Sequence, residues 1–161
     1  MKIKQLALFV LFAILFSCKD DNDSISPYVQ VEGKYLSSYV VSTPLGDIDY
    51  VHTLKFKSDG TLYGEDYATE SGKEEILGYT RYYTGTYTIK NDILTLSFGD
   101  ITSMYYENDV LYLPKEDLRP SEGQGSTKDY SIHENYSQLT HLFICDLNVN
   151  CAPPEIYVKV D

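Results

Sequence analysis

The side chains in this sequence with the chemistry to be more than structural are its three cysteines, its three histidines and a few charges set beside one another or among rings. Thiolates and imidazoles are common nucleophiles, bases and metal ligands. His52, His133 and His141 lie far apart in the chain, with no HExxH, no GxSxG and no phosphate loop around them. Zinc hydrolysis, serine hydrolysis and nucleotide cleavage therefore lack their residue patterns. Glu74-Glu75 is a prominent carboxylate pair, but a glycosidase needs two carboxylates facing each other across a cleft. Neighbours on a strand point to opposite faces, which makes a solvated pair the simpler reading. The acids Asp20, Asp21 and Asp23 suggest calcium, yet an EF-type loop needs Gly at its sixth position. Counted from Asp20 that position is Ile25, and from Asp21 it is Ser26. No metal, no cofactor and no enzymatic activity are expected.

Arg81 is the charge placed most suggestively, in a stretch where Tyr79, Arg81, Tyr83 and Tyr87 share one parity. If that parity faces inward, the guanidinium lies among rings, where it can stack and grip a carboxylate or a sugar hydroxyl. If it faces outward, Arg81 is solvated and the tyrosines are ordinary strand formers. The four residues are the candidate ligand-binding set, and both orientations remain open at this point.

The N-terminus speaks to location. Lys2 and Lys4 precede an unbroken apolar run from Leu6 to Phe16, followed by the small Ser17 and then Cys18. That is the three-part layout of a secretory signal. The run is well short of the roughly 20 residues a spanning helix needs, and acids follow it where a stop-transfer segment would carry basic residues. Leu15-Phe16-Ser17-Cys18 resembles the lipobox of bacterial lipoproteins, with Phe16 as the departure from its usual small or aliphatic residue. The resemblance implies cleavage before Cys18 and acylation of that cysteine. An ordinary signal with an incidental cysteine is the alternative, and the position of Cys18 argues against it. Two or three acyl chains, at about 0.8 kcal/mol per buried methylene, hold a soluble domain on a membrane. The acids after Cys18 resemble the export tag of Bacteroidetes-type lipoproteins, which implies the outer membrane and its outer face.

If Cys18 carries lipid, Cys145 and Cys151 are an even pair in an oxidising compartment. A disulfide between them closes a short loop, with a chain-entropy contribution of roughly 2 kcal/mol; two free thiols are the other outcome. The layout expected is a signal peptide over 1–17, a lipidated flexible tether over 18–31, polar and broken by Pro27, and one domain over 32–161.

Charge narrows the partners. The chain has 13 Lys plus Arg against 24 Asp plus Glu, for a net charge of -11. Removing residues 1–17 takes away Lys2 and Lys4 and no acid, which leaves -13. Such a surface repels phosphate backbones, and nucleic acid is not an expected partner. Sixteen Tyr and six Phe without Trp favour strands.

From Gly33 the apolar pattern has period two. Strands are expected from Lys34 to Val41, Val51 to Lys57, Thr61 to Tyr67 and Ile76 to Lys90, then at Leu94 to Phe98. A hairpin of Ile101–Tyr106 with Val110–Leu113 follows, and Leu139–Cys145 and Ile156–Val160 close the domain. Ser58-Asp59-Gly60 and Asn91-Asp92 supply tight turns, and Gly78 and Gly85 mark bends or bulges. Residues 114–138 read as one long polar loop, either functional or mobile without chemistry. This pattern predicts an all-β sandwich or barrel.

The stretch from Val31 to Phe98 resembles the lipocalin-like domains of bacterial lipoproteins. The resemblance is carried by Val31-Glu32-Gly33-Lys34-Tyr35, Ser58-Asp59-Gly60-Thr61-Leu62 and Thr84-Gly85-Thr86-Tyr87-Thr88-Ile89 with Leu94-Thr95-Leu96. Tyr35 stands where a lipocalin has the Trp of its Gly-any-Trp signature. The resemblance implies a single antiparallel up-and-down barrel of about eight strands with an internal cavity, and no catalytic residues. The function expected is that of a lipid-anchored envelope protein of the outer membrane, binding a small apolar or glycan-like ligand. The alternative is an interaction module with a filled core that docks on another envelope protein.

Overall fold

The computed structural model describes residues 25–104, 110–143 and 153–160. Its strands are β1 (Gly33–Thr43), β2 (Gly46–Phe56), β3 (Thr61–Glu70), β4 (Ile76–Lys90), β5 (Ile93–Ser103), β6 (Arg119–Pro120), β7 (Thr127–His133), β8 (Gln138–Leu142) and β9 (Ile156–Lys159). β1 to β5 follow one another as antiparallel neighbours, β5 pairs with β7, and β7, β8 and β9 continue round to β1. The ring therefore closes with eight strands, and β6 is an addition at the far end of β5. Closure removes the unpaired edges that an open sheet would expose. Among the described residues no helix is long and apolar enough to cross a membrane.

Turn chemistry sets the register. Asp59 Oδ1 accepts from the backbone N–H of Thr61 at 2.9 Å and from its hydroxyl at 2.6 Å, while Gly60 takes φ +85°. Asn91 and Asp92 both adopt positive φ, 51° and 59°, as a two-residue hairpin with the twist of its strands requires.

One end of the barrel is packed. Tyr35, Phe56 and Tyr87 meet edge to face there, with ring centroids 5.5 Å and 4.9 Å apart, above Leu54, Leu94 and Leu139. The buried phenols find acceptors: Tyr35 donates to the Tyr136 carbonyl at 2.5 Å and Tyr87 to the Lys57 carbonyl at 2.6 Å. A short helix, α1 (Pro27–Val31), covers this end. Ser26 caps it, accepting from the Tyr28 N–H, and Pro27 suits the first turn, where no N–H is needed. Val31 is fully buried and Tyr28 lies 5.3 Å from the Tyr87 ring.

Three expectations need correction. Residues 27–31 are not tether, because the apolar face of α1 docks on the core. Ile101–Ser103 does not turn into a hairpin but extends β5 along β4. Val110–Leu113 is not its partner strand: Leu113 makes a bridge to Tyr79 instead. The polar stretch 114–138 is not one loop, since it contains a 3-10 turn at Lys115–Asp117, β6 and the barrel strand β7. Only Tyr130 and Ile132 of β7 belong to the core or pack on it, and its other side chains are polar, so its apolar alternation is short. Cys18, Cys145 and Cys151 lie outside the described residues, as do the signal peptide and most of the tether.

Candidate functional site

The end opposite α1 is open and holds a cavity of about 1110 Å³. Its geometry begins with a bulge. Asp66 of β3 faces Arg81 of β4, but the next pair is Tyr67 with Tyr79, so Thr80 is an extra residue on β4. A bulge puts two successive side chains on one face and reverses the parity beyond it. Thr80 and Arg81 accordingly both line the cavity, while Tyr79 turns to the outer face and meets the Tyr67 ring edge-on at 6.3 Å.

Asp66 and Arg81 form the floor. The carboxylate is buried, with the residue 3% exposed. Arg81 Nε donates to Asp66 Oδ2 at 2.7 Å, and Nη2 reaches the same oxygen at 2.5 Å. Asp66 Oδ1 is buried with no hydrogen-bond partner among the described residues. Arg81 also lies 5.3 Å from the Tyr83 ring centroid. Burial works against its charge, but the Asp66 carboxylate outweighs it and holds the guanidinium pKa above its ordinary value.

Under this pair the interior is filled by phenols. Tyr83 packs on Phe98 at 4.9 Å and Tyr130 on Tyr157 at 5.8 Å. Tyr83 can lie there because residue 64 is glycine: a Cβ at Gly64 would overlap its ring. Burial raises the pKa of all three phenols, Tyr83, Tyr130 and Tyr157, which keeps them neutral. Beside them His52 Nδ1 lies 2.6 Å from Glu155 Oε1, and the Tyr157 hydroxyl donates to the same oxygen at 2.8 Å. Burial opposes the Glu155 charge, yet the hydrogen bonds from His52 and Tyr157 prevail and lower its pKa. An ionised carboxylate only accepts, so Nδ1 carries the hydrogen.

The upper walls are mixed. Tyr39 and Tyr50 stack at 5.5 Å on one side, with Phe98, Ile101 and Met104 across from them. Residues 110–126 run along the mouth. This strap is tied by the Leu113–Tyr79 bridge, by the Tyr50 hydroxyl donating to the Leu111 carbonyl at 3.0 Å and by the Gly125 N–H donating to the Phe98 carbonyl at 2.8 Å. It is also tied by Lys115, whose ammonium lies 5.2 to 5.5 Å from the rings of Tyr63, Tyr79 and Tyr82 on the outer wall and bridges to Glu65. The hydrogen bonds that Lys115 donates to Glu65 and Tyr63 raise its pKa.

Of the four residues proposed from the sequence, Arg81 lines the cavity, Tyr83 and Tyr87 are buried in the packed interior below it, and Tyr79 is outside. They do not share one face, because the bulge at Thr80 separates the first from the rest. His52 lines the cavity, whereas His133 and His141 do not. Glu74 and Glu75 are exposed in the β3–β4 loop. Sequence reasoning missed Asp66 and Glu155. Asp66 had a signal, since Leu62, Gly64, Asp66 and Ala68 share a parity and an acid on a core parity calls for a partner. Among the described residues no three His, Cys, Asp or Glu side chains converge to hold a metal ion.

In chemical terms the open end is a container with mixed upper walls, to which Lys128 and Glu122 also contribute, an aromatic stack on one side and a charged floor. The family model described as a lipocalin-like domain matches residues 19–119. Neither a curated protein nor a solved structure gave a match to the chain. The matched span runs from before α1 through the bulged β3–β4 pair, well over half the sequence, and with the closed eight-stranded barrel it makes this chain a member of the lipocalin-like domain family.

Proposed function

We propose that this protein is a lipid-anchored binding protein of the cell envelope, which takes a small ligand with an apolar body, or a glycan-like one, into the open end of its barrel. The observation that carries the reading is the asymmetry of the interior: one end is packed with rings and covered by α1, and the other holds a cavity of about 1110 Å³. That is at or above the upper end of the roughly 300–1,000 Å³ usual for small-molecule sites. Family membership supports it, since the lipocalin-like barrel is a binding fold. In this reading residues 1–17 are removed, Cys18 carries the acyl chains, and the residues after it tether a barrel that begins with α1 on the outer membrane.

Native mass spectrometry of the chain purified from membranes tests the binding role: a stoichiometric small-molecule adduct is expected, and a bare mass across preparations would contradict it. Mass analysis of the mature N-terminus tests the anchor, where an unmodified Cys18 would remove both the location and the argument for pairing Cys145 with Cys151. A second reading, docking onto another envelope protein, is favoured by the apolar side chains exposed at the open rim, among them Leu45, Ile76 and Leu77. It does not need a cavity, and a barrel that binds no ligand but captures an envelope protein through that rim would select it.

A further inference from the structure

We propose that Lys128 receives the head of the ligand, and that this head is a small anion, a carboxylate or a phosphate monoester, carried on an apolar body. The proposal rests on the cavity being the binding site and adds which chemistry it accepts. Two observations carry it. Lys128 shares the inward parity of β7 with buried Tyr130, stands opposite buried Leu96 on β5 and lines the cavity. It is the last inward position of β7 before that strand enters the packed interior. The neighbouring charges of the wall are already paired, Arg81 with Asp66 and His52 with Glu155. Lys128, by contrast, makes no hydrogen bond or ion pair with a described residue.

An ammonium in a half-enclosed cavity gives up part of its hydration, and an anion placed against it restores the balance. Once the ligand has displaced water from around the pair, their attraction is stronger than it is at the surface. Lysine presents a compact charge with three donors on a flexible stem, so it takes a carboxylate or a phosphate without demanding one plane. The nearby acids leave it available. Glu155 spends Oε1 on His52 and Tyr157, and Glu122, also in the lining, is exposed on the strap, where solvent screens it. An alkylammonium head is repelled by Lys128, and a sugar head accepts from its ammonium without neutralising it. Phe98, Ile101 and Met104 are left to cover the apolar body.

Probes with the same eight-carbon chain isolate the head: octanoate, octyl phosphate, octyl glucoside and octyltrimethylammonium, each titrated calorimetrically below its micelle concentration into the mature chain without its lipid. The expected result is that at least one anion binds about tenfold or more tighter than octyl glucoside, with the cation weakest. The tighter of the two anions names the head. Lys128→Gln should bring the anions down to the affinity of octyl glucoside and leave octyl glucoside unchanged, whereas Lys128→Arg should keep the ranking. Octyl glucoside equal to or tighter than both anions would overturn the anionic head and leave the cavity intact. An anion preference that survives Lys128→Gln would overturn the assignment to Lys128. Failure of every probe would overturn the binding reading itself and this proposal with it. The ranking is read on the unaltered chain, and Lys128→Met, which keeps the apolar stem, takes the place of Lys128→Gln if that variant does not fold.

Discussion

At the scale of single residues, the interior is held by contacts that tolerate little change. Gly64 is required by the Tyr83 ring lying against β3 rather than by backbone conformation. Gly64→Ala should destabilise the barrel by about 1–3 kcal/mol, the usual cost of overpacking, measured as a lower midpoint in urea with an unchanged slope. Glu155 supplies a pH dependence. Its pKa is below the usual 4.5 in the folded chain, so its contribution is complete above the unfolded value and is lost as pH falls through the folded one. Below about pH 4.5 the wild type should therefore lose stability more steeply than Glu155→Gln, compared by thermal melting at matched ionic strength. A parallel acid limb in the two proteins would remove Glu155 from that role. The phenols act at the other extreme: Tyr83, Tyr130 and Tyr157 have raised pKa values and should stay protonated while the exposed tyrosines ionise. Ultraviolet titration should show them ionising only when alkali unfolds the barrel.

At the scale of elements, the strap over the mouth and the bulge under it decide the shape of the site. Lys115 fastens the strap through three rings and Glu65, but its side chain is 39% exposed, so solvent screens the pair. Lys115→Met should cost only about 1 kcal/mol in global stability. It should accelerate amide hydrogen exchange in residues 110–118 while β1 to β5 keep their protection. These elements also show what a sequence makes legible. The hairpins at Asp59-Gly60 and Asn91-Asp92 follow from turn residues whose side chains or backbone freedom the turns require, and they are where expected. β7 was hidden because Thr127, Lys128, Asp129, Ser131 and His133 resemble a polar loop, and only pairing with β5 and β8 identifies the segment as a strand. Tyr79 was assigned to the face of Arg81 because an extra residue at Thr80 leaves no mark in a period-two pattern. Asp66 passed unremarked although its parity placed an acid inside, and its importance rests on a partner 15 residues away.

At the scale of the whole molecule, the two ends of the barrel divide the work. α1, next to the N-terminal segment, covers the packed end, and the strap, the exposed apolar rim and the charged floor belong to the other. The net charge of the chain is -11, while the interior holds the Asp66–Arg81 ion pair and the hydrogen-bonded His52 and Glu155. The central claim is that one ligand enters at the open end. Titration with N-phenyl-1-naphthylamine, whose fluorescence rises in apolar surroundings, tests it in the wild type and in Ser103→Trp, where an indole added beside Arg81 narrows the cavity lined by Ser103. The account predicts saturable binding of one dye per barrel in the wild type and weaker binding in a Ser103→Trp variant that melts like the wild type. Equal binding in both proteins would contradict it.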